Sequence, residues 1–415
     1  MYIYKTLSNG IRVVAERIDY LKSISIGVWV GNGSRHERAH ENGMSHFIEH
    51  MVFKGTEHRS AAQIADALDA VGGQINAFTA REYTCFHTKT LDAHAGIALD
   101  VLSDMIFTPS LKDEDMALER RVIEEEISLY EDSPEDLVYD LYYKAVWGDT
   151  AMGRTILGTR ESLAGITPES MRAYMKEHYT ADNMVIAVSG NFDEGFFDEL
   201  EKYFGGRTLV KGVPKMESAE FGSGAIMQTK DTEQVQLVVG FNGVDVMDFE
   251  AAYPLMIFNN VFGCGMSSRL FQNIREKEGL VYSIGAGYSA YIGTGSFDIY
   301  AGMSPTSLER VCELIEKEIK TIKRDKLTDA EIARSKEMLK GNYILGCEST
   351  GARMQAAGRA LLLDRPVLSQ EETLKKINAV SRDDVAQIID RVMDSSKYAL
   401  ATVGAKRIEG KLFNF

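Results

Sequence analysis

The sequence predicts an α+β protein made of two homologous α/β sandwich domains, each an antiparallel-rich sheet packed against helices. Two observations predict it. Strand-like and helix-like segments recur in the same order in both halves of the chain, and the two copies keep a nearly constant register. LKDEDMALERRVIEEEI from Leu111 aligns with LTDAEIARSKEMLKGNYI from Leu327 at an offset of 216, and TPESMRAYM from Thr167 aligns with SRDDVAQII from Ser381 at an offset of 214. A steady offset of this kind marks an internal duplication. The order is not a regular alternation of strand and helix, which argues against a parallel doubly wound sheet.

Taken in order, ISIGVWV (24–30) reads as a strand, followed by a helix over the histidine-rich stretch, a strand-like INAFTAREYTCFHTKT (75–90), several helices and a closing strand MVIAVSG (184–190). The second half repeats the plan: VQLVVGF (235–241), a helix, strands around 282–301, helices, and YALATVG (398–404). Glycine, proline and charged residues gather at 205–224 between the patterned regions. The expected organisation is a first domain over 1–207, a linker over 208–224 and a second domain over 225–415. Gly31-Asn32-Gly33 lacks the spacing of a phosphate-binding fingerprint and reads as a turn.

A chain of 415 residues with 45% apolar composition can bury two or more cores. Its net charge of −15 argues against nucleic acid, which needs a basic footprint, and suits basic or unfolded peptides. Four scattered cysteines without a Cys-x-x-Cys pair fit a reducing compartment. No signal-like or membrane-spanning pattern is present, so a cytoplasmic protein without membrane attachment is expected.

The segment His46-Phe47-Ile48-Glu49-His50 carries the chemistry. Residues i and i+4 share a helix face, so both imidazoles can reach one metal ion while Glu49 flanks it. Catalytic zinc takes three protein ligands and keeps one position for water. The third has to come from elsewhere, and LKDEDMALERRVIEEEISLY (111–130) reads as an amphipathic helix rich in carboxylates, with Met116, Leu118, Val122, Ile123, Ile127 and Leu129 as its apolar residues. Glu119 and Glu126 lie seven apart on nearly one face, while Glu124 and Glu125 point away. All eight histidines fall between positions 36 and 178. At the offset of 216, Glu119 corresponds to Ser335 and Glu126 to Asn342, and the segment matching the motif helix, LMIFNNVF (255–262), has no histidine. The second copy has lost the whole set together, which supports a joint function for it in the first.

HFIEHMVFKGT (46–56) and ERRVIEEEI (119–127) resemble the two signature elements of the pitrilysin, insulinase and mitochondrial-processing-peptidase family of zinc peptidases with an inverted motif. The resemblance runs through nearly the whole chain. It implies one zinc per chain held by His46, His50 and Glu126, with Glu49 as general base and Glu119 as a supporting acid. INAFTARE (75–82) resembles the family's substrate strand, in which Asn76 and Ala77 hold an extended peptide by backbone pairing. IREKEGLVYS (274–283) resembles the region where an arginine and a tyrosine reach the substrate, here Arg275 and Tyr282. FGCGMSSRLF (262–271) resembles the glycine-rich loop but has Cys264 where glycine is frequent, so its backbone is less free.

The family encloses peptides in a chamber of four such domains, and this chain has two. The resemblance therefore implies a second chain, either an identical copy or a homologous subunit. The expected function is a zinc-dependent endopeptidase acting on short or unfolded peptides; the alternative is a non-catalytic peptide-binding or scaffold subunit of a heterodimeric peptidase.

Overall fold

The computed structural model describes residues 2–405 and 410–415. Two compact units emerge, one comprising Met1–Ile127, Thr155–Glu217 and Ile344–Gln370, the other Ser128–Arg154, Ser218–Tyr343 and Glu371–Phe415. Each unit therefore contains a segment from the other half of the sequence. Residues 207–224 form neither helix nor strand.

The first unit holds six strands: β1 (Tyr2–Thr6), β2 (Arg12–Arg17), β3 (Ser23–Val30), β4 (Gln74–Thr79), β5 (Thr84–Leu91) and β6 (Met184–Gly190). Their spatial order is β1-β2-β6-β3-β5-β4. Only the β2–β6 pair is parallel. Alternation sets the two faces of the sheet. From β3, Ile24, Ile26, Val28 and Val30 enter the main core, while Trp29 faces the other way. The main core also receives α1 (Met44–Val52), α2 (Ala61–Asp69), α3 (Ala95–Phe107) and the buried stripe of α4 (Asp113–Asp132).

Two details differ from the sequence reading. The stretch 75–90 is a hairpin, not one strand: β4 pairs antiparallel with β5, and Ala80 N–H donates to Tyr83 O across the turn (2.8 Å). The turn residues Ala80-Arg81-Glu82-Tyr83 include none of the usual turn formers, because Arg81 and Glu82 are buried there rather than solvated. In α4, only Met116, Glu119, Ile123 and Ile127 are buried, whereas Leu118, Val122 and Leu129 are exposed. A spacing of three and four residues selects that stripe.

The opposite face of the sheet is covered by the helix Thr350–Leu362, with Met354 and Ala357 packed on Val14, Trp29, Val185 and Ala187. Gly27 permits this approach, since a Cβ there would stand 2.3 Å from Met354 Sδ.

The second unit repeats the design with β7 (Ala225–Thr229), β8 (Val235–Asn242), β9 (Val281–Tyr291), β10 (Thr294–Met303) and β11 (Tyr398–Gly404), in the order β7-β11-β8-β10-β9. One face packs on the helices Phe249–Phe262, Leu308–Asp325 and Arg382–Val392. The other is covered by the helix Pro134–Trp147, through Val138, Tyr142, Val146 and Trp147. Gly240 mirrors Gly27 here, as a Cβ would meet Tyr142 Oη. The exchange of helices is thus reciprocal, and the two exchanged helices start 216 residues apart, at Pro134 and Thr350. No helix among the described residues is long and apolar enough to cross a membrane.

Candidate metal centre and active site

The site is built on α1. Its N-cap is Gly43 at φ +92°, a left-handed conformation that disfavours any side chain. With no side chain there to satisfy the first amides of the helix, Glu37 does so from outside. Its Oε2 accepts from Gly43 N–H and its Oε1 from Ser45 N–H, both at 2.8 Å, and Asn42 Nδ2 adds a contact at 3.3 Å. Burial pushes the Glu37 carboxyl up to about 7, against the pull of the bonds from Ser45, Gly43 and Asn42. Beneath the helix, Asn32 Nδ2 donates to Ser45 Oγ (3.1 Å) and Tyr174 Oη donates to Asn32 Oδ1 (3.0 Å). Glu37→Ala strands two buried amides, at about 1–3 kcal/mol each, so a stability loss of about 2–6 kcal/mol is expected. Urea unfolding at pH 7 measures it, and an unchanged midpoint would refute the capping role.

One turn into α1, the His46 and His50 rings lie side by side with centroids 4.6 Å apart. Their Nε2 atoms stand 3.6 and 3.7 Å from the same oxygen, Glu126 Oε2 on α4. These separations exceed a hydrogen bond. Three ligand atoms facing one point without bonding each other fit an ion between them, and all lie within 4.8 Å of one another. Two imidazoles and a carboxylate form a donor set suited to catalytic zinc. Burial and the neighbouring His50 lower His46 to about 3, keeping it neutral at pH 7 as a ligand must be. His46 Nδ1 is buried without a hydrogen-bond partner among the described residues, so packing orients this ring.

His50 is held differently. Its Nδ1 meets Glu119 Oε2 at 3.0 Å, and Lys54 Nζ meets Glu119 Oε1 at 2.6 Å. A carboxylate paired with an ammonium accepts, so Nδ1 carries the proton and Nε2 turns its lone pair toward Glu126. Glu119 is 5% exposed and touches His50 and Lys54 without joining the three converging residues. Lys54 follows His50 by four residues, a spacing visible in the sequence but not singled out there.

Glu49 precedes His50 on α1 and is tied to the sheet. Thr79 Oγ1, at the end of β4, donates to Glu49 Oε2 at 2.5 Å. Burial raises the Glu49 carboxyl, with the Thr79 bond opposing. Asn76 and Ala77 lie on the same strand, the edge of its sheet, where Asn76 Oδ1 accepts from Ala77 N–H at 2.8 Å. An edge strand exposes half its backbone groups to a new partner.

Arg275 and Tyr282 belong to the second unit. The Arg275 guanidinium lies 4.7 Å from the Phe271 ring centroid, and Tyr282, on the edge strand β9, is 64% exposed. In the same unit Asn260 Nδ2 donates to Ser335 Oγ at 3.0 Å. Ser335 is the residue that the repeat aligns with Glu119, and it has no metal-ligating group.

Residues 12–160 match the family model described as insulinase (peptidase family M16), and residues 165–339 match that described as the peptidase M16 inactive domain. The second match begins after the histidine pair. The chain is 42% identical to the uncharacterized zinc protease YmxG of Bacillus subtilis, over 96% of this chain and 97% of that one. It is 33% identical to an uncharacterized zinc protease of Rickettsia bellii, over 97% and 98%. The fold is shared with the crystal structure of a protease from Helicobacter pylori, at a TM-score of 0.90 and 19% identity, covering 97% of this chain and 99% of that one. A structure from Pseudomonas fluorescens described as a peptidase M16 inactive domain also gives 0.90, at 18% identity over 99% of both chains. With both family models matched in sequence order and relatives spanning its length, the chain belongs to the insulinase family of metallopeptidases, peptidase family M16.

Proposed function

We propose that this chain is a zinc-dependent endopeptidase that hydrolyses short or unfolded peptides, with one zinc held by His46, His50 and Glu126. The observation that carries the reading is the meeting of those three ligand atoms beside Glu49. When bound, zinc would polarise the scissile carbonyl and lower the pKa of a water molecule. The protein's own groups do the rest. The edge of β4 at Asn76 and Ala77 takes up the peptide backbone as an added strand. Glu49 accepts a proton from the attacking water and passes it to the departing amine. Glu119 holds His50 in the ligating tautomer.

Arg275 and Tyr282 serve the substrate from a second copy of the chain, closing a chamber of four domains, with a homologous subunit as the other possible partner. Four free cysteines fit a cytoplasmic setting. The non-catalytic reading draws on the words "inactive domain", but that match begins after every proposed ligand. The test is zinc content of the purified protein together with cleavage of a library of quenched unstructured peptides. About one zinc per chain with cleavage supports the reading; no zinc would sink it. Mixing Glu49→Gln with Tyr282→Phe chains tests the second copy, since activity should return in the mixture only if Tyr282 acts across chains.

A further inference from the structure

Resting on that reading, we infer that Thr79 is the positioning residue of the general base, and that it ties Glu49 to the strand that receives the substrate. The two residues come from separate elements, α1 and β4. Alternation along β4 puts Ala77 and Thr79 on one face of the sheet and Phe78 on the other. Ala77 packs on the core that α1 shares, and Phe78 packs on the opposite cluster around Trp29. Thr79 therefore faces the motif helix by its position in the strand.

Its hydroxyl has one hydrogen to give. The neighbouring Thr84 Oγ1, 3.4 Å away, already donates to Asn32 O at 2.9 Å. The Thr79 hydrogen goes to Glu49 Oε2. Glu49 Oε1 has no hydrogen bond among the described residues and is the oxygen left to take a proton. The terminal torsion of a glutamate is broad, so one short bond to one oxygen selects the plane in which the other is presented. Proton transfer rewards such orientation steeply. Thr79 also lies two residues beyond Ala77, so the backbone that pairs with the peptide is the backbone that holds the base. Binding and proton transfer share one strand.

The test uses zinc-loaded full-length protein with Thr79→Val, which keeps the shape and removes the hydroxyl, and Thr79→Ser, which keeps the hydroxyl. Thr79→Val is expected to lower kcat about 10–100-fold, with KM and zinc content within about twofold of wild type, and Thr79→Ser to restore kcat. In a Glu49→Gln background, Thr79→Val should leave peptide affinity unchanged. An unchanged kcat, a defect confined to KM, or a serine variant as slow as the valine would overturn the inference. If the wild-type protein binds zinc but cleaves no peptide, the peptidase reading fails separately. The carboxyl carbon resonance of Glu49 then decides: it should shift with Thr79→Val and stay with Thr79→Ser, and no shift in either overturns the positioning role.

Discussion

Glu49→Gln is expected to reduce peptide cleavage about 10²–10⁴-fold while zinc content stays at the wild-type level, because the residue is the proposed general base and does not belong to the converging set of three residues. The amide is nearly isosteric but cannot take up a proton at neutral pH. Peptide affinity should survive, since the proposed contacts for the peptide lie on β4 and not on α1. Parallel measurement of kcat/KM and of bound metal separates the roles. Zinc lost together with activity would show that Glu49 supports the metal, and the division of labour proposed for α1 would be wrong.

The second large effect concerns Glu119. Its two oxygens bind His50 Nδ1 and Lys54 Nζ, so truncation to alanine frees the imidazole to rotate or change tautomer and leaves the ammonium without its acceptor. Losing such a support typically weakens metal binding about 10–100-fold. Competition against a chromophoric chelator measures this directly, without peptide. Glu119→Gln should fall between wild type and alanine, because an amide oxygen still accepts from Nδ1–H. An alanine variant with wild-type zinc affinity would show that packing alone orients His50, as it does His46.

The meeting of His46, His50 and Glu126 was legible because helical spacing fixes which side chains share a face, and because the second copy of the repeat lacks the same positions together. Most strand positions were legible for a similar reason, since alternation in ISIGVWV and VQLVVGF follows the burial that a sheet imposes. The hairpin turn at Ala80–Tyr83 was not. Its sequence contains no glycine, proline or asparagine, and its buried Arg81 and Glu82 depend on contacts formed only after folding. Glu37 was invisible as a cap because it acts on amides six and eight residues downstream, outside the local pattern that marks a helix start. Thr79 stood inside a recognised motif, yet its partner is 30 residues away in sequence. The exposure of Leu118 and Val122 escaped notice because periodicity identifies a stripe without saying which of two neighbouring stripes is buried.

Ribosomal synthesis proceeds from the N-terminus, and the reciprocal exchange of helices then sets an order of events. The sheet that carries the proposed active site is complete in strands once Met184–Gly190 has emerged, but Trp29 and its neighbours wait uncovered for a helix that begins at Thr350. Meanwhile Pro134–Trp147 has been made and has no sheet to cover until β8 and β11 exist. A nascent chain stopped near residue 217 would therefore display two sticky apolar surfaces at once, and neither half is suited to be released, inherited or engineered as a free-standing protein.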